Sequence, residues 1–170
     1  MLMPVIMHRA RALVAAALLL PAGSVASRSP DPVYDPLWLY NGTWTATSNP
    51  GDKHDTIANE CARVGTYFAC QQTVNGKLAA LVVFLPLDKQ GHYATQGIDA
   101  AGAALGRGKL EIAGDHWTYD GGDRSGDSTV YYRTSNSFTG RDRIHFQVAT
   151  SKDGRNWTVT REGDEVRQLK

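Results

Sequence analysis

Long apolar runs are scarce in this sequence. The one near the N-terminus, "LVAAALLLPAG" (13–23), is about a dozen residues long, against the ~20 that a membrane-crossing helix needs. An excess of either charge is missing too. The chain has 18 Lys+Arg against 17 Asp+Glu, and without Arg9 and Arg11 the balance falls to 16 against 17. No basic surplus is left to follow a phosphate backbone, so nucleic acid is not an expected partner. The "RDR" at 141–143 is broken by an acid and reads as a solvated turn. Metal spacings are absent. His54, His92, His116 and His145 form no H-x-E or H-x-x-x-H pair, and "DGGDRSGD" (120–127) lacks the ligand spacing of an EF-hand and reads as a flexible turn. One inward His can ligate haem in a ten-stranded barrel, but His145 alternates with Arg143 and Gln147 and is expected to face water. There is no Gly-x-Ser-x-Gly nucleophile, and Lys53-His54-Asp55 reads as a turn. Glu60, Asp99 and Glu111 are candidate paired carboxylates only if strands bring them together. The sequence therefore gives no ground for an enzyme, no catalytic residue, no metal and no cofactor.

Cysteine is limited to Cys61 and Cys70. "CARVGTYFAC" folds back about Val64-Gly65-Thr66-Tyr67, which sets Cys61 opposite Cys70, and facing β-carbons of a non-hydrogen-bonded pair are close enough to bridge. A disulfide is expected, and with it an oxidising compartment. The N-terminus agrees. A short basic segment with Arg9 and Arg11, the apolar run and the small residues Ser24 and Ala26 have the layout of a signal peptide cut before Ser27. The expected organisation is a cleaved signal over 1–26, a proline-rich lead-in over 27–36 without regular structure, and one domain over 37–170, periplasmic or secreted, with no membrane span in the mature chain.

What remains is rich in short runs of Val, Thr, Tyr, Phe and Trp, punctuated by Gly, Asn and Asp. They predict strands near 38–48, 54–63, 66–74, 77–86, 91–99, 105–113, 115–120, 128–136, 142–150 and 156–167. Asn75-Gly76 and Asp153-Gly154 are hairpin turns, with weaker signals at Gly114-Asp115 and Gly140-Arg141. "DAAGAALGRG" (99–108) turns a corner, covers a barrel mouth or forms one short helix. So long a meander must close or fold over, since an open edge invites aggregation. The fold class is all-β, an antiparallel up-and-down barrel of about 8–10 strands.

Alternation sorts the faces. Trp38, Tyr40, Trp44 and Ala46 share one, as do Ile144, Phe146 and Val148, and as do Trp157, Val159 and Arg161. "LAALVVFLPL" (78–87) is apolar on both faces, so the lead-in or a partner protein is expected to cover its outer side.

Gly42-Thr43-Trp44 resembles the opening of the first strand in lipocalin and calycin barrels. The resemblance implies that Trp44 closes the barrel floor and that an Arg of the last strand, here Arg161, packs over it. "GDHWTYDGGD", "TVYYRTSNSF" and "SKDGRNWTVTREGDEVRQ" are similar to a lipocalin-like group of secreted bacterial proteins of unknown function, over roughly 37–168. The chain departs from the best-known lipocalins in having more than eight predicted strands and no evident C-terminal helix. The expected function is that of an exported barrel holding a small apolar or amphipathic ligand. Trp44, Phe84, Tyr93, Trp117, Tyr132, Phe146 and Trp157 would line the site, unless these aromatics fill a solid core. The alternative is an exported protein-binding barrel, such as an inhibitor of a protease or lysozyme-type enzyme, working through 78–87 and the loop 100–108.

Overall fold

The computed structural model describes residues 32–125 and 128–169. The expected signal peptide and the first residues of the lead-in lie outside the described residues. Ten strands follow one another: β1 Gly42–Asn49, β2 Lys53–Val64, β3 Tyr67–Val74, β4 Lys77–Pro86, β5 His92–Asp99, β6 Ala104–Ala113, β7 His116–Ser125, β8 Ser128–Thr139, β9 Arg143–Ser151 and β10 Thr158–Arg167. Each pairs antiparallel with its sequence neighbour, and β1 pairs with β10, so the sheet closes on itself. This is the up-and-down barrel that the strand count predicts. Closure pairs every strand on both edges and leaves none open to a second chain.

The turns form where their chemistry demands. Asn75 and Gly76 both have positive φ, 52° and 75°, as a tight two-residue hairpin requires. Cys61 stands directly opposite Cys70 with Cα atoms 4.0 Å apart, and the disulfide is formed. At 99–103 the chain turns a corner on Asp99, whose Oδ1 accepts from the backbone of Ala101 (2.9 Å) and Ala103 (2.8 Å).

Four expectations are corrected. The lead-in is not irregular: Pro32–Tyr40 forms a 3-10 helix, and β1 begins only at Gly42. Proline lacks an N–H and fixes φ near the helical value, which suits short 3-10 turns, and the apolar Tyr34 and Leu37 find a place to bury. The helix plugs one end of the barrel rather than covering the outside of 78–87, where Leu78, Leu85 and Leu87 stay exposed. Trp38 and Tyr40 therefore belong to the helix, not to the first strand. The "DGGDRSGD" segment is strand as far as Ser125, because Asp120 and Arg133 face each other across the β7–β8 ladder in a two-pronged ion pair of 2.7 and 3.0 Å.

The plugged end holds the core. Tyr34, Leu37, Trp44, Phe68, Phe84 and Tyr93 are buried there, with Trp117 against Phe138 at 4.8 Å and Tyr34 stacked on Phe68 at 5.7 Å. Tyr93 fastens the plug by donating to the Val33 carbonyl at 2.5 Å, and Tyr34 by donating to the Thr66 carbonyl at 2.8 Å. Rings packed against rings fill this half of the barrel without a void-lining role for any one of them.

Candidate functional site

Residue 44 is where the sequence argument about closure is tested. Trp44 is fully buried, and its ring is covered by Arg167, whose guanidinium carbon lies 4.0 Å from the ring centre. Arg161, the residue expected there, lies instead 5.5 Å from the ring of Phe146. The two arginines are six apart and share a parity, but the β1–β10 register puts Arg167, not Arg161, opposite Trp44. Arg167 also donates to the carbonyls of Leu39 (2.6 Å), Asn41 (2.6 Å) and Arg141 (2.9 Å), tying the end of the plug to the last strand. Gly42 makes room for this clamp: a β-carbon there would lie 2.6 Å from Arg167 Nη1, and its φ of +130° suits only glycine.

Of the seven aromatics proposed to line a ligand site, Trp44, Phe84, Tyr93, Trp117 and Phe146 fall in one packed core cluster, and Tyr132 and Trp157 lie outside it. Trp157 lies outside the barrel wall, with the Arg133 guanidinium 4.3 Å from its ring centre. Its expected alignment with Arg161 fails because β10 bulges between Val159 and Arg161, and one extra residue reverses the faces. Phe146 is buried on the inner face, and Tyr132 is inward by alternation but exposed at the other end of the barrel. His145 points outward and pairs with Asp164 at 3.0 Å, as its alternation with Arg143 and Gln147 indicates.

Above the plug the inner wall changes character. Its floor is Tyr40, from the last turn of the 3-10 helix, whose hydroxyl accepts a hydrogen bond from Asn136 Nδ2. Tyr119 packs edge-on against Tyr40 at 6.5 Å. Burial pushes both phenols' pKa values up, and at Tyr40 the neighbouring Tyr119 and Glu165 add to the shift while Asn136 opposes it. Beyond the bulge, β10 turns Arg161, Gly163, Glu165 and Arg167 to the inside, across from Val148, Phe146 and Ile144. Glu165 is the outlier of this wall. Burial raises its pKa from 4.5 to about 7, against the pull of Arg161, and its Oε2 is buried with no hydrogen-bond partner. Asn59, 3% exposed on the β2 side, accepts from Gln72 at 3.2 Å, but its Nδ2 is also without a partner. A buried polar atom left unpaired costs about 1–3 kcal/mol, so two of them inside one barrel call for a ligand or water to meet them.

At the unplugged rim a cavity of about 350 Å³ is lined by Val130, Thr150 and Thr158 with Ser151, Lys152, Asp153 and Asn156 of the β9–β10 loop. That loop is rigid by construction: Asp153 accepts from the backbone of Arg155 (2.9 Å) and Asn156 (2.8 Å), which holds its carboxyl well below the usual range. Among the described residues no cluster of His, Cys, Asp and Glu has the geometry of a metal site, and no helix is long and apolar enough to cross a membrane. The sequence reading missed Tyr40, Asn136 and Glu165. An acid among inward-facing residues of the last strand was the one available signal, since Glu165 shares the parity of Arg161.

No family model matches the chain, and no curated protein matches it. Among solved structures, Rv2717c from M. tuberculosis superposes with a TM-score of 0.52 and 14% identity, covering 82% of this chain and 99% of that one. EF1p2_mFAP2b bound to DFHBI matches with a TM-score of 0.31 and 15% identity, over 78% of this chain and 96% of that one, too remote to bear on anything further. The likeness to Rv2717c extends to the fold alone: the chain is a closed ten-strand antiparallel up-and-down barrel.

Proposed function

We propose that the protein is an exported binding protein that holds a small amphipathic molecule in the unplugged half of its barrel. The observation that carries this reading is the contrast along the inner wall: the plugged end is filled ring against ring, while β10 above it keeps a buried polar atom, Glu165 Oε2, without a partner. Phe146 supplies an apolar wall and Tyr132 stands at the entrance. The Cys61–Cys70 bridge fits an oxidising compartment, and the signal-like start of the sequence supplies the route to it.

Gly121 provides the test. It follows Trp117 and Tyr119 on the inner face of β7, and a β-carbon there would meet nothing within 4 Å. Titration with the neutral dye Nile red should give saturable fluorescence at about one dye per chain. Gly121→Leu should fill the space and abolish the signal while leaving the β circular dichroism intact, and Trp157→Ala, outside the wall, should leave binding unchanged. Undiminished dye binding by the Gly121→Leu protein would place the ligand elsewhere. The protein-binding alternative draws on a different observation, the exposed Leu78 and Leu85 of β4. It gains if Leu85→Lys abolishes inhibition of a target hydrolase while Nile red binding persists.

A further inference from the structure

We propose that the ligand held above the plug is a small aromatic carboxylic acid, bound as its anion between Arg161 and the Glu165 carboxyl, whose buried Oε2 has no partner. This rests on the reading of the unplugged half as a ligand site and specifies the ligand's class.

Size comes from the plug. Tyr40 and Trp117 lie 5.3 Å apart, and Trp117 and Phe138 seal the level below them. A long acyl chain would have to run down the barrel axis, and that path is filled. The apolar side chains that face the space above Tyr40 are themselves aromatic, Tyr119 and Phe146, and would meet a ring flat or edge-on.

Charge comes from β10. Arg161 rests near the Phe146 ring and takes part in no ion pair among the described residues. Glu165 lies four residues along on the same face yet does not pair with it. The other groups facing this space are accounted for. Asp55 of β2 feels the Arg161 charge but is engaged by Lys53 at 3.1 Å and Asn75 at 2.7 Å. Tyr40 and Tyr119 are neutral phenols, and the residues flanking Glu165 in the ladder are Ile144 and Ala46.

A protonated carboxyl donates one hydrogen bond, a guanidinium only donates, and Tyr40, already accepting from Asn136, has its own proton left to give. This wall is therefore rich in donors, and Arg161, exposed and outside any ion pair among the described residues, is placed to meet an anion. The complement is an anionic acceptor attached to a flat apolar body. No covalent step is involved. One proton passes from solvent to Glu165 when the carboxylate binds above the range where that residue is already protonated.

The sign follows. Below about pH 7 Glu165 is neutral and donates to the ligand; above it the side chain ionises and repels the ligand's charge. Affinity for benzoate should fall by up to about tenfold per pH unit above 7. The experiment is calorimetric titration of the full chain with benzoate at pH 6 and pH 8, in two buffers of different ionisation enthalpy. We expect weaker binding at pH 8 and uptake of close to one proton there. Glu165→Gln should bind equally well at both pH values, and Arg161→Gln should weaken binding by at least about tenfold at pH 6. In the wild-type protein, carbon NMR of the Glu165 carboxyl should show its midpoint rise when benzoate is added, a readout that needs no variant. Benzoate affinity that is flat with pH, or tighter binding of benzylamine than of benzoate, overturns the proposal. If Nile red binds in a Gly121-dependent way and benzoate does not bind, the acid class fails while the ligand-holding barrel stands; if neither binds, both fail.

Discussion

Glu165 shows how one side chain can set the pH response of a barrel. Its pKa is raised from 4.5 to about 7 by burial. A carboxyl that binds its proton more tightly when folded stabilises the protein fully below pH 4.5, and that contribution is lost as pH rises to 7. The loss amounts to about 3 kcal/mol. Denaturant titrations at pH 5 and pH 8 should therefore show a smaller stability difference for Glu165→Gln than for wild type, and equal differences would mean that the carboxyl is solvated. Other groups move in the same window, His92 among them, raised by its contact with Asp88, so the comparison with the variant is what isolates Glu165. The two inner arginines of β10 have opposite assignments. Arg167→Ala removes the cover of Trp44 and three bonds to carbonyls, and should cost about 2–4 kcal/mol in unfolding free energy. A double-mutant cycle of Trp44→Phe with Arg167→Lys should show coupling of at least about 0.5 kcal/mol, and the same cycle with Arg161→Lys should be additive.

The 3-10 helix Pro32–Tyr40 does more than its nine residues suggest. Leu37 and Tyr34 complete the ring stack from inside, and Tyr40 makes the floor of the unplugged half, so one short element both seals the barrel and shapes the site. Its period was not legible because prolines 32 and 36 read as a break, and because Trp38 and Tyr40 continue the alternation of β1. Leu37→Ala should cost about 2–5 kcal/mol as a core truncation, measured by chemical denaturation. A cost of a few tenths would mean that the helix lies loosely on the end. The β2–β3 hairpin is the other element with its own test. Cys61→Ser with Cys70→Ser should lower stability by about 2–3 kcal/mol while the β circular dichroism persists, because a nine-residue separation removes little chain entropy.

At the scale of the whole molecule, closure makes the barrel one cooperative unit. Every strand depends on two neighbours, and the last strand is tied to the plug through Arg167. Far-ultraviolet circular dichroism, which reports the sheet, and tryptophan fluorescence, which reports Trp44 and Trp117 in the plugged end, should therefore unfold at one denaturant midpoint. Separate midpoints would show that the unplugged half opens independently. Such independence is plausible only where packing is thin, and the polar interior around Glu165 is the place to look for it.

The sequence by itself determined the local structure. Alternating β-branched and aromatic residues make strands whatever surrounds them. Asn75-Gly76 can adopt the positive φ values of a tight hairpin, and the Cys61–Cys70 spacing puts two thiols across one ladder. Nine of the ten strands begin within about two residues of where the pattern placed them. Tertiary structure alone decided which of Arg161 and Arg167 covers Trp44, that Trp157 lies outside the wall, and that the interior is aromatic at one end and polar at the other. Each depends on register and shear around a closed sheet. A single bulge at β10 reverses a face, and nothing in the local pattern marks where that extra residue goes, because its cost and benefit arise only when the last strand meets the first.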